Sequence, residues 1–298
     1  MSFKNITVAG SGVLGYQIAF QTAFKGFNVV VYDINDEVLE KAKLKFDGLA
    51  EAYKKDMHAT GDQIAATQTR LSYTSDLAKA ISEADLLIEA IPENPQIKTD
   101  FYKSVAPLAP EKTVFVTNSS TLLPSMFAEY TGRPEKFLAL HFANDIWLHN
   151  TAEIMGQAKT DPKIFDEVVS FAKQIGMITL PLHKEQPGYI LNTLLVPLLD
   201  AATYLLVNDI ADYKTIDKTW MVATGAPMGP CGILDVVGIT TAYNINEMKY
   251  AKTNDPEVKK VLDYLKTNFI DPNKLGVNTG QGFYTYPNPA YKEKDFFS

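Results

Sequence analysis

The segment from Ile6 to Asp33 constrains this chain more than any other. Ile6-Thr7-Val8-Ala9 is a short apolar run of β type, and it breaks at Gly10-Ser11-Gly12-Val13-Leu14-Gly15. Leu14, Ile18, Ala19, Thr22 and Ala23 then recur at helical spacing, and Gly26 is placed to end that helix. Asn28-Val29-Val30-Val31-Tyr32-Asp33 reads as a second strand. Strand, glycine turn, helix and strand within about thirty residues form a βαβ unit.

The alternation continues. Residues 36–56 read as an amphipathic helix, with Leu39, Ala42, Phe46, Leu49 and Tyr53 on one face and Lys41, Lys43, Lys45, Lys54 and Lys55 on the other. A further helix is expected over 62–69. An extended stretch follows at 71–74, then a short helix capped by Ser75. Apolar strands are expected at 86–91, 114–117, 137–140 and 177–182, and helices at 96–108 and 162–175. Apolar strands alternating with helices predict an α/β fold, a doubly wound, mainly parallel sheet covered on both faces. The pattern changes at Gln186-Pro187-Gly188. From Asn192 the apolar spacing is helical (Leu195, Leu198, Leu199, Ala202, Leu205, Leu206), with no convincing strand afterwards. The expected domains are therefore residues 1–185 and an all-α domain over 186–298. The tail from Pro287 is polar and aromatic and reads as loosely held.

Composition narrows the classes of function. Of 298 residues, 46% are hydrophobic and 21% charged, enough apolar side chain for a sizeable core. The net charge of −7 supplies no basic field for nucleic acid. Cys231 is the single cysteine, which excludes an intrachain disulfide and a cysteine-rich zinc site. No H-E-x-x-H or similar ligand cluster occurs, so no metal is expected. The N-terminus has no signal-peptide pattern and no run approaches a membrane span, so a cytoplasmic protein with no membrane partner is expected.

Gly10, Gly12 and Gly15 match G-x-G-x-x-G in the context that makes it informative: after a strand, opening a helix, with an acidic residue closing the next strand. Gly10 permits the tight turn, Gly12 lets the backbone approach a pyrophosphate, and Gly15 lets helix and strand pack closely. The helix N-terminus faces the phosphates. The turn residues Val13 and Leu14 are counted with the glycines as cofactor-binding. Asp33 is placed to accept from ribose hydroxyls and to repel a 2′-phosphate, which favours NAD over NADP.

Further segments carry a family resemblance. They are Ile88-Glu89-Ala90-Ile91-Pro92-Glu93-Asn94, Thr117-Asn118-Ser119-Ser120-Thr121-Leu122, His141-Phe142-Ala143-Asn144, Pro187-Gly188-Tyr189-Ile190-Leu191-Asn192, Pro227-Met228-Gly229-Pro230 and Gly280-Gln281-Gly282-Phe283-Tyr284. In this order, over nearly the whole chain, they resemble the L-3-hydroxyacyl-CoA dehydrogenases, including the 3-hydroxybutyryl-CoA dehydrogenases. The resemblance implies a Rossmann-like NAD-binding domain and a helical C-terminal domain that forms a homodimer. It implies an acyl-CoA substrate and a catalytic His–Glu pair, His141 and Glu153, with Ser120 and Asn192 lining the substrate site. Glu93, Lys98 and Asn118 are expected on the cofactor side. The residue types suit the chemistry. A neutral imidazole takes a hydroxyl proton near neutral pH, a carboxylate on its other nitrogen fixes the tautomer, and hydroxyl and amide donors hold developing negative charge.

The run after His141 departs from the family, with Asp145 where proline is usual and a bulky Trp147 beyond it. An indole and a carboxylate in that loop would exclude a long acyl tail, so short chains are expected; a Trp147 turned into the core or solvent would leave chain length open. The lysines of residues 41–55 are either a solvated face or partners for the phosphates of coenzyme A. A dehydrogenase of a free 3-hydroxy acid and a catalytically silent NAD-binding protein are the rival readings.

Overall fold

In the computed structural model, which describes residues 3–298, the chain up to Ile190 forms one unit and Leu191–Ser298 a second. The first unit opens with β1 (Asn5–Ala9), α1 (Gly15–Phe24), β2 (Asn28–Tyr32), α2 (Asp36–Asp56), α3 (Gly61–Thr69) and β3 (Leu71–Thr74). It continues with α4 (Leu77–Ile81), β4 (Leu86–Glu89), α5 (Pro95–Val105), β5 (Val114–Thr117), β6 (Phe137–Phe142), β7 (Thr151–Gly156), α6 (Pro162–Gln174) and β8 (Ile178–Leu182). The strands form one sheet in the order β3-β2-β1-β4-β5-β6-β7-β8. β1 to β6 run parallel; β7 pairs antiparallel with β6, and β8 runs with β7.

The strands are apolar on both faces because both faces are covered. Ile6 and Val8 of β1 join Ile18, Phe20, Phe46 and Phe171 on one side. Ala9 joins Leu87, Tyr102, Phe115 and Phe137 on the other. In α2 the buried residues are Leu39, Ala42, Phe46, Leu49, Ala50 and Tyr53, the face that the spacing selects. Asn35 caps that helix by accepting from the Val38 N–H, and Lys54 and Lys55 lie in its last turn, where the helix dipole favours cations.

Two local expectations need correction. The cap of α4 is Asp76, whose carboxylate accepts from the Lys79 N–H, while the Ser75 hydroxyl donates to Asp36. β7 has no counterpart among the strands read from sequence. Thr151-Ala152-Glu153-Ile154-Met155-Gly156 has few residues of strong β propensity, and it becomes a strand because β6 and β8 flank it.

The second unit contains α7 (Leu191–Val207), α8 (Tyr213–Thr224), α9 (Pro230–Val237), α10 (Ile239–Thr253) and α11 (Pro256–Leu265). Its core gathers Leu206, Ile216, Leu234, Leu265 and Phe283. Two buried carboxylates organise it. Asp217 accepts from the N–H groups of Cys231 and Gly232 and from the Tyr284 hydroxyl. Asp235 accepts from the N–H groups of Phe283 and Tyr284 and from the Tyr286 hydroxyl. A Cβ at Gly282 would lie 1.9 Å from Asp235 Oδ1, so only glycine lets the chain pass there. The tail is not loosely held: Tyr291 and Phe296 are buried, and the Tyr291 ring meets Tyr284 edge-on at 4.9 Å.

Burial raises both carboxyls above the ordinary aspartate range, against the N–H and O–H donors that pull them down. A carboxyl raised on folding contributes its full stability below its unfolded value of 3.8, and that contribution declines as pH rises through the folded value. Asp235→Ala strands two backbone donors and a phenol, so it is expected to lower the unfolding free energy by roughly 2–4 kcal/mol. Urea denaturation should find the loss larger near pH 4 than near pH 8, because the contribution is present near the unfolded value and declines as pH rises above it.

Candidate active site

The glycine turn lies where the sheet reverses its winding. Neighbouring strands β1 and β4 lead to helices on opposite sides, which opens a crevice at their carboxyl ends. Gly10 has φ +97°, and a Cβ there would lie 2.5 Å from the Ala90 carbonyl oxygen just beyond β4. A Cβ on Gly15 would lie 1.8 Å from the Gly10 carbonyl oxygen. Gly12 differs, because a Cβ there would meet nothing within 4 Å. Two glycines are thus demanded by packing, and the third leaves an open cradle that fits a pyrophosphate. No side chain caps α1, so its N-terminal dipole opens onto that cradle, with Val13 two-thirds exposed beside it. Asp33 closes the other side. Its Oδ2 accepts from the Ser11 N–H at 2.7 Å and the Ser11 hydroxyl at 2.6 Å, and its Oδ1 from the Ile34 N–H at 2.8 Å. These donors hold its charge beside the turn.

A buried charge network backs the crevice. Glu89 and Lys98 are both buried, and Lys98 Nζ lies 2.5 Å from Glu89 Oε1. Tyr102 and Thr117 donate to Glu89 Oε2 at 2.9 and 2.7 Å. Lys98 also reaches Glu93 Oε2 at 3.5 Å. Glu93 is partly exposed, and its Oε1 accepts from the Ser119 hydroxyl and from the N–H and hydroxyl of Thr121. Partial burial works to raise the Glu93 carboxyl, but these donors and the Lys98 ammonium outweigh it and hold it below the usual glutamate range. Lys98 Nζ also donates to the Ile91 carbonyl oxygen at 3.3 Å, so its ammonium is held by two carboxylates and a backbone carbonyl, with the more exposed Glu93 on the outer side.

The next group lies on β6 and β7. Antiparallel register sets His141 directly opposite Glu153. Cross-strand neighbours share one face, so the two side chains meet. His141 Nδ1 lies 3.1 Å from Glu153 Oε2, and His141 Nε2 lies 3.1 Å from Ser120 Oγ. Glu153 Oε1 accepts from the Ile190 N–H at 2.9 Å. Histidine and carboxylate are almost wholly buried, which strengthens their mutual attraction and excludes water from it. Asn118 Oδ1 accepts from the Phe142 N–H at 3.0 Å and so anchors the end of β6 beside the imidazole. Asn192 lies in the first turn of α7, in the second unit.

Trp147 belongs elsewhere. Its ring packs on Tyr53 with centroids 5.6 Å apart, and its indole N–H donates to Asp56 Oδ2 at 3.0 Å. This is the placement that leaves acyl-chain length open, with the indole turned into the packing against α2. Asp145 sits at φ +56° and is exposed. The lysine face is mostly self-neutralised: Lys41, Lys43 and Lys54 pair with Glu37, Glu40 and Glu51 on the same helix. Tyr189 escaped the sequence reading. It stacks on His141 with centroids 4.4 Å apart and planes 9° from parallel, and its hydroxyl donates to the Ser119 carbonyl oxygen at 2.7 Å. Its only signal in the sequence was its place in Pro187-Gly188-Tyr189-Ile190.

Both units of the chain are similar to known proteins. The family description "3-hydroxyacyl-CoA dehydrogenase, NAD binding domain" matches residues 5–186, and "3-hydroxyacyl-CoA dehydrogenase, C-terminal domain" matches residues 188–286. The mitochondrial hydroxyacyl-coenzyme A dehydrogenase of Sus scrofa is 32% identical over 292 residues, covering 95% of this chain and 91% of that protein. The (S)-3-hydroxybutyryl-CoA dehydrogenase of Ralstonia eutropha is 25% identical with a TM-score of 0.82, over 96% of this chain and 100% of that one. A diketoreductase solved in a study of substrate-directed dual catalysis of dicarbonyl compounds is 54% identical with a TM-score of 0.90, over 96% of this chain and 100% of that one. With both family domains matched in order on a Rossmann-like sheet followed by a helical domain, the chain belongs to the 3-hydroxyacyl-CoA dehydrogenase family of NAD-dependent oxidoreductases.

Proposed function

We propose that the protein interconverts (S)-3-hydroxyacyl-CoA and 3-ketoacyl-CoA with NAD, using His141 and Glu153 as an acid–base pair. The hydrogen-bonded chain Ser120–His141–Glu153 carries this reading. When bound, NAD supplies the hydride acceptor for oxidation and, in its reduced form, the donor for reduction; Gly10, Gly12, Gly15 and Asp33 would hold it. Glu153 keeps the proton of the imidazole on Nδ1, which leaves the Nε2 lone pair facing Ser120. In oxidation Nε2 takes the proton of the substrate hydroxyl as its oxygen becomes a carbonyl. The resulting imidazolium is balanced by Glu153. In reduction Nε2 returns that proton to the oxygen. Ser120 Oγ donates to the substrate oxygen while charge develops there, and Asn192 is assigned a second donor role. Glu93 and Asn118 are assigned to the cofactor side, with Lys98 positioning Glu93.

A second reading, a 3-keto carbonyl substrate without coenzyme A, is favoured by the 54% identity to the diketoreductase and by the pairing of the α2 lysines with glutamates. The expectation of short acyl chains has lost the support of Trp147. The second unit is proposed to form a homodimer. In α7, an apolar helix of 17 residues, only Ala202, Thr203 and Leu206 are buried, while Leu194 and, on α8, Val222 stay mostly exposed. A homodimer interface would cover such surface.

His141→Ala is expected to lower kcat by roughly 10²–10⁴-fold with NAD affinity little changed, and Glu153→Gln to lower it as well. A near-normal kcat in His141→Ala would make the histidine structural. Substrate and cofactor are tested in one steady-state matrix, acetoacetyl-CoA against acetoacetate and its ethyl ester, each with NADH and NADPH. The thioester should win, and NADH should be preferred by at least about tenfold, a gap that Asp33→Ala narrows. Higher kcat/KM for the coenzyme A-free compounds would favour the second reading. Light scattering at micromolar protein should give the dimer mass; a sharp monomer would overturn the dimer.

A further inference from the structure

Two in-plane hydrogen bonds do not immobilise an imidazole. Contacts at Nδ1 and Nε2 leave the ring free to tilt about the line joining those atoms. Glu153 and Ser120 supply those two contacts to His141. A third constraint must act on the face of the ring, and Tyr189 supplies a parallel aromatic plane there, 9° from coplanar at 4.4 Å.

The same short segment touches Glu153 and the residue before Ser120. The Tyr189 hydroxyl donates to the Ser119 carbonyl oxygen at 2.7 Å, holding the peptide that leads into Ser120. The Ile190 N–H donates to Glu153 Oε1 at 2.9 Å, leaving Oε2 for the histidine. Burial pushes the Tyr189 phenol well above its ordinary range, so it remains a donor at every working pH. The backbone carries a cost for this placement. Tyr189 has φ +55°, a left-handed conformation that bulky side chains rarely adopt. Such strain persists where the surroundings over-determine it, and it concentrates at functional sites. Tyr189 also packs with Ala139 and Met155, with Leu123 and Leu182 against them.

We infer that Tyr189 is a positioning residue for the acid–base pair: its ring fixes the plane of His141, while its hydroxyl fixes the Ser120 loop. This rests on the reading of His141 as the group that moves the proton. The Tyr189-Ile190 turn is thereby a brace that touches His141, Glu153 and the Ser119 carbonyl just before Ser120. It is also the last of the first unit, since Leu191 opens α7.

The test uses the full-length protein with Tyr189→Leu and Tyr189→Phe, beside His141→Ala. Tyr189→Leu removes ring and hydroxyl, and is expected to lower kcat by about 100-fold, the scale of a misplacement near 1 Å. The KM for NADH should stay within about twofold, because the glycine turn is untouched. Tyr189→Phe keeps the stacked plane and should restore most of the rate, leaving a loss of roughly three- to tenfold. A merely structural tyrosine would lower the melting temperature in both variants without this split between kcat and KM. Nitrogen-15 NMR of the histidine ring supplies a readout independent of turnover: the Nδ1–H signal of His141 should broaden or shift in Tyr189→Leu and persist in Tyr189→Phe. Wild-type kcat with an unmoved imidazole signal in Tyr189→Leu would overturn the inference. If Tyr189→Leu does not fold, Tyr189→Phe decides through the Ser119 contact, and a kcat indistinguishable from wild type then overturns the hydroxyl's role. Should His141→Ala keep its rate, the general-base reading falls by that result alone, and the NMR signal still decides whether Tyr189 holds the ring.

Discussion

Antiparallel pairing of β6 with β7 is the constraint on which the site depends. It sets His141 against Glu153 at the place where the sheet reverses direction. A parallel neighbour would have required a crossover and would not have returned the chain within twelve residues. The hairpin loop between the strands must therefore be held in one conformation, and the molecule holds it from several sides. Ile146 is buried and its N–H reaches the Gln17 side chain on α1. Trp147 docks on α2 through Tyr53 and Asp56. Asn118 ties the end of β6 to the end of β5. The residues that depart from the family in this loop are thus part of how it is held.

The two units handle buried carboxylates differently. In the first, Glu89 is neutralised by Lys98, and the network leads outward to Glu93 beside the glycine turn. Breaking such a pair leaves a buried charge without compensation, a loss of about 3–5 kcal/mol. In the second, Asp217 and Asp235 have neutral donors only, and burial raises both. Asp235 pins the segment around Phe283 to α9, and Asp217 pins the start of α9 and Tyr284 to α8. Charge pairing suits a unit that meets an anionic cofactor, and neutral capping suits one that builds a helical core.

The motifs that carry the family resemblance divide along the same line. Gly10 to Gly15, Ser120 and His141 belong to the proposed site. Pro227-Met228-Gly229-Pro230 and Gly280-Gln281-Gly282-Phe283-Tyr284 build the fold instead: Gly229 and Gly282 pass so close to Asp217 and Asp235 that a Cβ would collide with them. A run of residues shared with a family therefore marks a shared structural need at these places.

Local chemistry made much of this protein legible in one dimension. The βαβ unit, the glycine turn with Asp33 beyond it, the buried face of α2 and the change to helical spacing near Gln186 all rest on periodicity and on residues with a single steric meaning, so they could be read from the chain. His141 and Glu153 were reached through family resemblance alone. Contacts between segments distant in the chain were beyond reading. β7 is a strand only because its neighbours supply the ladder, since Ala152, Glu153 and Met155 have no strong preference for one. Trp147 sits on α2 rather than at a substrate wall because Tyr53 and Asp56 happen to face it across 91 residues of sequence. Tyr189 lies on His141 because the turn after Gly188 takes a left-handed path that no spacing rule encodes. Sequence determines which groups a chain has and which face of each element is apolar; only the tertiary structure decides which of those groups meet, because their meeting depends on strand pairing and on the packing of elements far apart in the chain.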